Sequence, residues 1–200
     1  RGDNEEAARF MARALALNPH HAATQFNYGN VLRKLERWAD AEHAYARTLA
    51  LKPDHVEARR ARAHVLAELK RDADALAELD RIATNNILTL TLRAKLRLNA
   101  NRAADAVADY DRIVTFDPAS WEAWNNRGIA LTNGREWEQA IPLYEEGLTI
   151  ARAIGNQDLV ARLLNNLAIL ARRRGDLESS LEMNQESLRI RRELGDRTTI

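Results

Sequence analysis

The sequence has no cysteine, which excludes a disulfide framework and any thiolate metal site. Turn formers are scarce, with four prolines and eight glycines in 200 residues, and aromatics make up only 6%. Ala, Leu, Arg and Glu dominate instead, a composition that favours helix over strands and turns. No apolar run approaches the roughly 18 residues a membrane helix needs, and no signal-peptide pattern opens the chain. Neither charge sign prevails: 30 basic and 29 acidic residues leave a net +1, so neither nucleic acid nor a membrane is expected as a partner. A cytoplasmic location is the default expectation, although the lack of cysteine is equally compatible with export.

Motifs for catalysis are missing as well. The five histidines (His20, His21, His43, His55 and His64) form no HExxH or other metal-ligand spacing, and no GxSxG, P-loop or GxGxxG occurs. His20, His21 and His55 stand within two residues of prolines and read as solvated loop residues. The carboxylates fall at helical surface spacing among Lys and Arg, as solvated faces do. No enzyme activity, cofactor or metal is expected.

What is present is a period. Pro19 and Pro53 lie 34 residues apart, and each closes a helical pattern: Ala7, Met11, Ala14, Pro19, then Ala41, Tyr45, Thr48, Pro53. The frame returns as Ala106, Tyr110, Ile113, Pro118. A 34-residue period with small-residue, aromatic and proline positions resembles the tetratricopeptide repeat (TPR), a helix-turn-helix unit that stacks into a solenoid. The resemblance covers nearly the whole chain. It implies an all-α fold, a right-handed superhelical solenoid of antiparallel helix pairs.

In that frame, 1–21 is the second helix of a partial repeat. Repeat one spans 22–55, a short repeat two 56–86, repeat three 87–120, repeat four 121–155 and a long repeat five 156–195; 196–200 read as the start of a further helix. Both ends look cut from a longer array. Repeat two is three residues short, with Asn85-Asn86 in place of the proline. Leu88, Leu90 and Leu92 alternate as in a strand, but Ala94, Ala106 and Tyr110 keep the repeat frame, so helix is expected there. Pro142 falls inside the second helix of repeat four and should bend it slightly. The segment NNLAILARRRGDLESSLEMNQESLRI resembles the longer repeats of kinesin light chains and related bacterial proteins. Arg1-Gly2-Asp3 recurs as Arg174-Gly175-Asp176 at the turn within repeat five, which makes the tripeptide a turn and cap signal rather than a recognition motif.

Comparing repeats with one another isolates two features. The seventh place holds Arg62, Arg93 and Arg127 in repeats two to four, and the place 18 residues later holds Asp80, Asp111 and Glu145. In repeats one and five these places are Tyr28 with Ala46 and Leu167 with Gln185. Arginine and acid come and go together, which predicts structural ion pairs Arg62–Asp80, Arg93–Asp111 and Arg127–Glu145. The second feature is an asparagine in the sixth place: Asn27, Asn126 and Asn166, interrupted by Ala61 and Leu92. This broken ladder resembles the repeat region of O-linked N-acetylglucosamine transferases, where side-chain amides hold a peptide backbone. An amide both donates and accepts, so it suits an extended chain of any sequence.

The resemblance implies a concave surface lined by the first helices. Its candidate ligand-binding residues are Asn27, Asn30, Arg33, Lys34, Arg60, His64, Lys95, Asn126, Arg162, Asn166 and Arg173. With Arg172 this face carries seven basic residues against Glu57, Glu68 and Glu122, which favours an acidic or carboxylate-terminated ligand. Leu88, Leu92 and Leu98 offer an apolar pocket for an anchoring side chain. The carboxylate clamp of chaperone-binding arrays is incomplete, since Ala61 stands where its second asparagine belongs. The expected function is a non-catalytic scaffold binding an extended peptide or partner helix. The alternatives are a substrate-recruiting arm of a larger glycosyltransferase- or sulfotransferase-like enzyme, and a solenoid that self-associates through its ends, using the face of Ala7, Met11, Ala14 and Leu15.

Overall fold

The computed structural model describes residues 2–84 and 86–197, and among these there are eleven α-helices and no strand. A lone second-type helix comes first, α1 (Gly2–Leu17). Five pairs follow: α2 (Ala22–Lys34) with α3 (Trp38–Leu51), α4 (Val56–Glu68) with α5 (Asp72–Asp80), α6 (Ile87–Asn99) with α7 (Ala103–Phe116), α8 (Trp121–Asn133) with α9 (Trp137–Ala153), and α10 (Gln157–Arg173) with α11 (Leu177–Arg197). The alternating leucines of repeat three lie in helix, and α9 continues through Pro142. The three residues missing from repeat two shorten α5 to nine residues, against 14 in α3.

Several expectations at the chain's ends need correction. Gly2 and Asp3 lie inside the first turn of α1 rather than in a turn between helices, and Arg1 is outside the described residues. Asp196 and Arg197 continue α11 through Gly195; residues 198–200, expected in a new helix, lie outside the described residues. Of the face expected for self-association, Ala14 is exposed but Ala7, Met11 and Leu15 are half-buried, and the large exposed apolar side chains of α1 are Phe10 and Leu17.

One turn recurs within each pair. Glu36, Lys70, Asn101, Arg135 and Gly175 occupy the same place in their repeats, and all have positive φ, between 57° and 86°. The next N–H reaches back to the carbonyl five residues earlier, as from Arg37 to Leu32 at 3.0 Å and Asp176 to Ala171 at 3.0 Å, satisfying an orphan carbonyl of the first helix. Only Gly175 adopts this conformation without a Cβ penalty. Asp176 then caps α11, its Oδ1 accepting from the Ser179 N–H at 3.1 Å.

Capping separates the first helices from α3, α5 and α7. Each first helix opens on a side-chain acceptor: His21, His55, Asn86, Ser120 or Asn156. His21 and His55, which by their sequence position read as loop residues, are therefore helix caps whose Nδ1 accepts a backbone N–H at 3.3 Å. The second helices α3, α5 and α7 open instead on an arginine paired three residues on: Arg37–Asp40, Arg71–Asp74 and Arg102–Asp105. The repeat-closing prolines also share a partner. The carbonyls of Pro19, Pro53 and Pro118 accept from Gln25, Arg59 and Trp124, three chemically different residues at the fourth place of the next repeat.

The chain divides into two compact units, 1–96 and 97–200. In the first, Leu32, Ala41, Ala44, Tyr45 and Val65 form one core cluster and Ala63, Leu66, Ala75, Leu76, Leu79 and Leu96 are prominent in another. In the second, a larger cluster is centred on Tyr144, Leu148 and the leucines Leu159, Leu163, Leu164, Leu167 and Leu170 of α10. Close helix approach depends on glycine at two equivalent places. A Cβ on Gly29 would lie 2.7 Å from Tyr45 Cε1, and one on Gly128 2.5 Å from Tyr144 Cε1.

Candidate ligand-binding face

The candidate residues sit on first helices, and the structure treats them unequally. In the first unit, Asn30 is half-buried and accepts from the Tyr45 hydroxyl at 2.8 Å. Burial raises the Tyr45 phenol pKa while the nearby Arg33 guanidinium opposes the rise. Asn30 and Arg33 thus form a polar cluster around Tyr45. Phe26 packs its ring on Tyr45 and His55, with centroids 5.9 and 4.8 Å apart. Asn27, Lys34, His64 and Lys95 are exposed, and Arg60 is half-buried.

In the second unit, Asn166 Nδ2 donates to Asn125 Oδ1 at 3.1 Å, joining α10 to α8. Asn125 is buried, whereas Asn126 beside it is half-buried and keeps its amide free of side-chain partners among the described residues. Arg162 is exposed and paired with Asp158 at 2.7 Å. Arg173 lies over the Trp137 ring at 5.2 Å, and Arg127 over Trp124 at 5.8 Å. The sequence pattern does not mark Trp124, Trp137 or the Asn125–Asn166 bond as parts of this face. The four tryptophans are visible in it, but nothing in their spacing shows that arginines stack on two of them.

The expected ion pairs exist in a different register. Arg62 donates to Glu42 at 2.6 and 2.8 Å and to Glu78 at 2.8 Å, rather than to Asp80. Arg59 also donates to Glu78, at 2.8 Å. Arg127 pairs with Asp111 and not Glu145. Arg93 is buried and donates to the carbonyls of Leu79 and Ile82 at 3.3 and 3.4 Å, while Asp111 is held by Arg127. The cause is antiparallel geometry. Arg62 stands eight residues before the turn residue Lys70, and Glu78 eight after it, so these two are level. Two residues further along, Asp80 is turned by about 200° at 100° per residue. The place 18 residues on therefore faces the next repeat, as Asp111 faces Arg127. Arg93 differs because the shortened α5 ends beside it. The carbonyls at that end, of which Leu79's already accepts from the Ile82 N–H at 3.0 Å, have lone pairs left that attract a cation.

Among the described residues, no group of three or more His, Asp or Glu side chains is placed to hold a metal ion, and no helix is long and apolar enough to cross a membrane. Family models described as tetratricopeptide repeat match residues 29–87 and 122–193. The chain belongs to the tetratricopeptide repeat family. No curated protein sequence matches it. Among solved structures, YrrB, a TPR protein with an unusual peptide-binding site, aligns over 92% of this chain and 93% of its own, with 17% identity and a TM-score of 0.78. The MamA protein aligns over 88% of this chain and 94% of its own, with 15% identity and a TM-score of 0.77. BtubC (BKLC) from P. vanneervenii aligns over 97% and 90%, with 14% identity and a TM-score of 0.72. At these identities the likeness is one of fold. Within the TPR helix pairs of this chain, equivalent places recur from one repeat to the next, with different side chains in them.

Proposed function

We propose that this TPR array is a non-catalytic interaction scaffold whose first-helix face binds an extended peptide or a partner helix. The observation that carries the reading is the state of the sixth-place amides. Asn27 and Asn126 make no side-chain hydrogen bond among the described residues, and Asn166 commits only one N–H, so all three retain donors and acceptors. Basic residues on the first helices, Lys34, Lys95 and Arg173, favour an acidic or carboxylate-bearing ligand. YrrB, whose fold this chain shares, is described as having a peptide-binding site, which supports the same reading. The test is a peptide-library screen of the chain beside an Asn27→Ala, Asn126→Ala, Asn166→Ala variant. Ligands lost in the variant support this face; ligands that persist move the site elsewhere, and an absence of ligands removes the reading.

A second reading, self-association, has its own observation. On α11, Leu177, Leu181 and Leu188 are 54–66% exposed, and on α1 Phe10 and Leu17 are 61% and 89% exposed. Apolar surface at the two terminal helices suits end-to-end stacking. Light scattering over a concentration series should then show mass rising with concentration, and charged replacements at Leu181 and Leu188 should abolish the rise. A constant monomer mass removes this reading.

A further inference from the structure

The seventh place decides more than local stability. In repeats two and four its arginine reaches the second helix of the preceding repeat, Arg62 to Glu42 and Arg127 to Asp111. Arg62 also reaches Glu78 on its own second helix. Repeats one and five have no arginine there, and a cleft stands beside each substitute: about 240 Å3 at Tyr28 and about 350 Å3 at Leu167.

The larger cleft lies within the second unit, between α9 and α11 with α10 as its floor. Counting from Ala161 as the first place of repeat five, its lining includes the places that the Arg62 and Arg127 slots use between them. Ile141 is the counterpart of Glu42, Glu145 of Asp111 and Met183 of Glu78, and all three line the cleft with Leu167. The slot therefore keeps the carboxylate of the Arg127 slot and has apolar side chains at the two places where the Arg62 slot has carboxylates. Glu145 is exposed, and its carboxylate has no partner among the described residues. The cleft's other charged residues are Asp176 and Arg174, and Arg174 leans towards Glu138, at 3.8 Å. The lining carries a net negative charge over an apolar base. That combination suits a cation on an aliphatic stem.

We propose that the cleft beside Leu167 is a binding site for an arginine side chain presented by an extended segment of a partner protein. Glu145 receives the guanidinium as Asp111 receives that of Arg127, and the stem lies on Ile141, Leu167 and Met183. The array's own arginine slots are the template. Arginine is favoured over lysine because its planar fork matches a carboxylate and is less strongly hydrated. This site is separate from the first-helix face, so either can fail without the other.

Met11 and Met183 are the chain's two methionines, so methyl-13C methionine labelling of the full chain gives one signal in the cleft and one internal control. The probes are the blocked tripeptide Ala-Arg-Ala, its lysine analogue and its uncharged citrulline analogue. The arginine peptide should shift the Met183 signal saturably and leave Met11 unmoved, the lysine peptide should bind more weakly, and the citrulline peptide should not bind. Glu145→Gln should weaken arginine-peptide binding by about fivefold, the worth of one partly screened ion pair. Leu167→Arg should fill the slot from within, moving the Met183 signal without peptide and abolishing the response. A static Met183 signal, an equal response to citrulline, lysine binding as tight as arginine, or unchanged binding in Glu145→Gln would each overturn the proposal. Should Leu167→Arg fail to fold, Glu145→Gln decides alone, since that side chain is exposed.

Discussion

Repeat two and repeat five share one fold and hold it with opposite chemistry. Helix α4 reads VEARRARAHVLAE, and its contacts to neighbouring second helices include a charged network of Arg59, Arg62, Glu42 and Glu78, with Glu78 only 7% exposed. Helix α10 reads QDLVARLLNNLAILARR and places Leu163, Leu167 and Leu170 in the core, where Leu167 and Met183 occupy the places of Arg62 and Glu78. Each fully buried leucine contributes about 1.5–3 kcal/mol of transfer free energy. A buried ion pair contributes far less net, because desolvation offsets most of its attraction, but it is costly to break by halves. At the seventh place repeat five therefore draws stability from packing, whereas repeat two, which buries Leu66 and Leu79 elsewhere, holds a charged network there.

The largest expected effect exposes that asymmetry. Glu78→Met installs repeat five's residue while leaving Arg59 and Arg62 without their shared carboxylate, and should cost about 3–5 kcal/mol. Adding Arg62→Leu together with Glu42→Ile, so that no carboxylate is orphaned, completes the conversion to repeat five's Ile141, Leu167 and Met183 and should recover about 1–3 kcal/mol of that loss. Chemical denaturation of the single variants and the combined variant measures the coupling; strict additivity would break the comparison.

Next in size is Arg93→Ala. It removes the charged donor shared by the carbonyls of Leu79 and Ile82 at the end of α5, leaving Leu79 only its bond from the Ile82 N–H, and should cost about 1–3 kcal/mol. The same change at the exposed Arg81 should leave the melting temperature nearly unmoved. If Arg93→Ala leaves it unmoved too, the guanidinium is not holding the shortened helix end.

The phenols sharpen the comparison from the side of the second unit. Burial pushes Tyr110 and Tyr144 up to about 12 each. Above pH 10 the unfolded chain releases phenolic protons that the folded chain retains. Stability is full below pH 10 and falls as pH rises towards 12, by about 1.4 kcal/mol per pH unit for each tyrosine. Alkaline unfolding followed with tyrosinate absorbance near 295 nm should show the loss, and Tyr110→Phe with Tyr144→Phe should flatten it. Gly128 leaves little room beside Tyr144, but phenylalanine keeps the ring that fits there.

The smallest effect concerns the caps. His55→Ala and Ser120→Ala remove equivalent acceptors from α4 and α8, and each should cost about 1 kcal/mol. His55→Asn should restore most of its loss. A solvated loop histidine, the reading its sequence position suggests, would show no difference.

The 34-residue period, the small-residue and aromatic places and the scarcity of turn formers determined the helix pairs. These signals are local: each repeat buries the same face, so the pattern is written once per repeat and becomes visible by self-comparison. The helical state of Ile87–Asn99 and the shortness of repeat two were legible for that reason. The equivalence of His21 and His55 with Asn86, Ser120 and Asn156 was legible in principle, since all five directly precede a first helix, but the residue types differ. The joint presence of arginine and acid was legible too, yet the partners were not. Side chains this long reach either of two flanking helices, and only the antiparallel register shows that Arg62 is level with Glu78 and that Asp111 faces Arg127. The amide pair Asn125–Asn166, separated by 41 residues, likewise has no local signature. Sequence alone determines what each repeat buries, because periodicity is a property of one helix. Which charge meets which, and where a slot is left unfilled, is set by the offset between helices, and packing alone decides that offset.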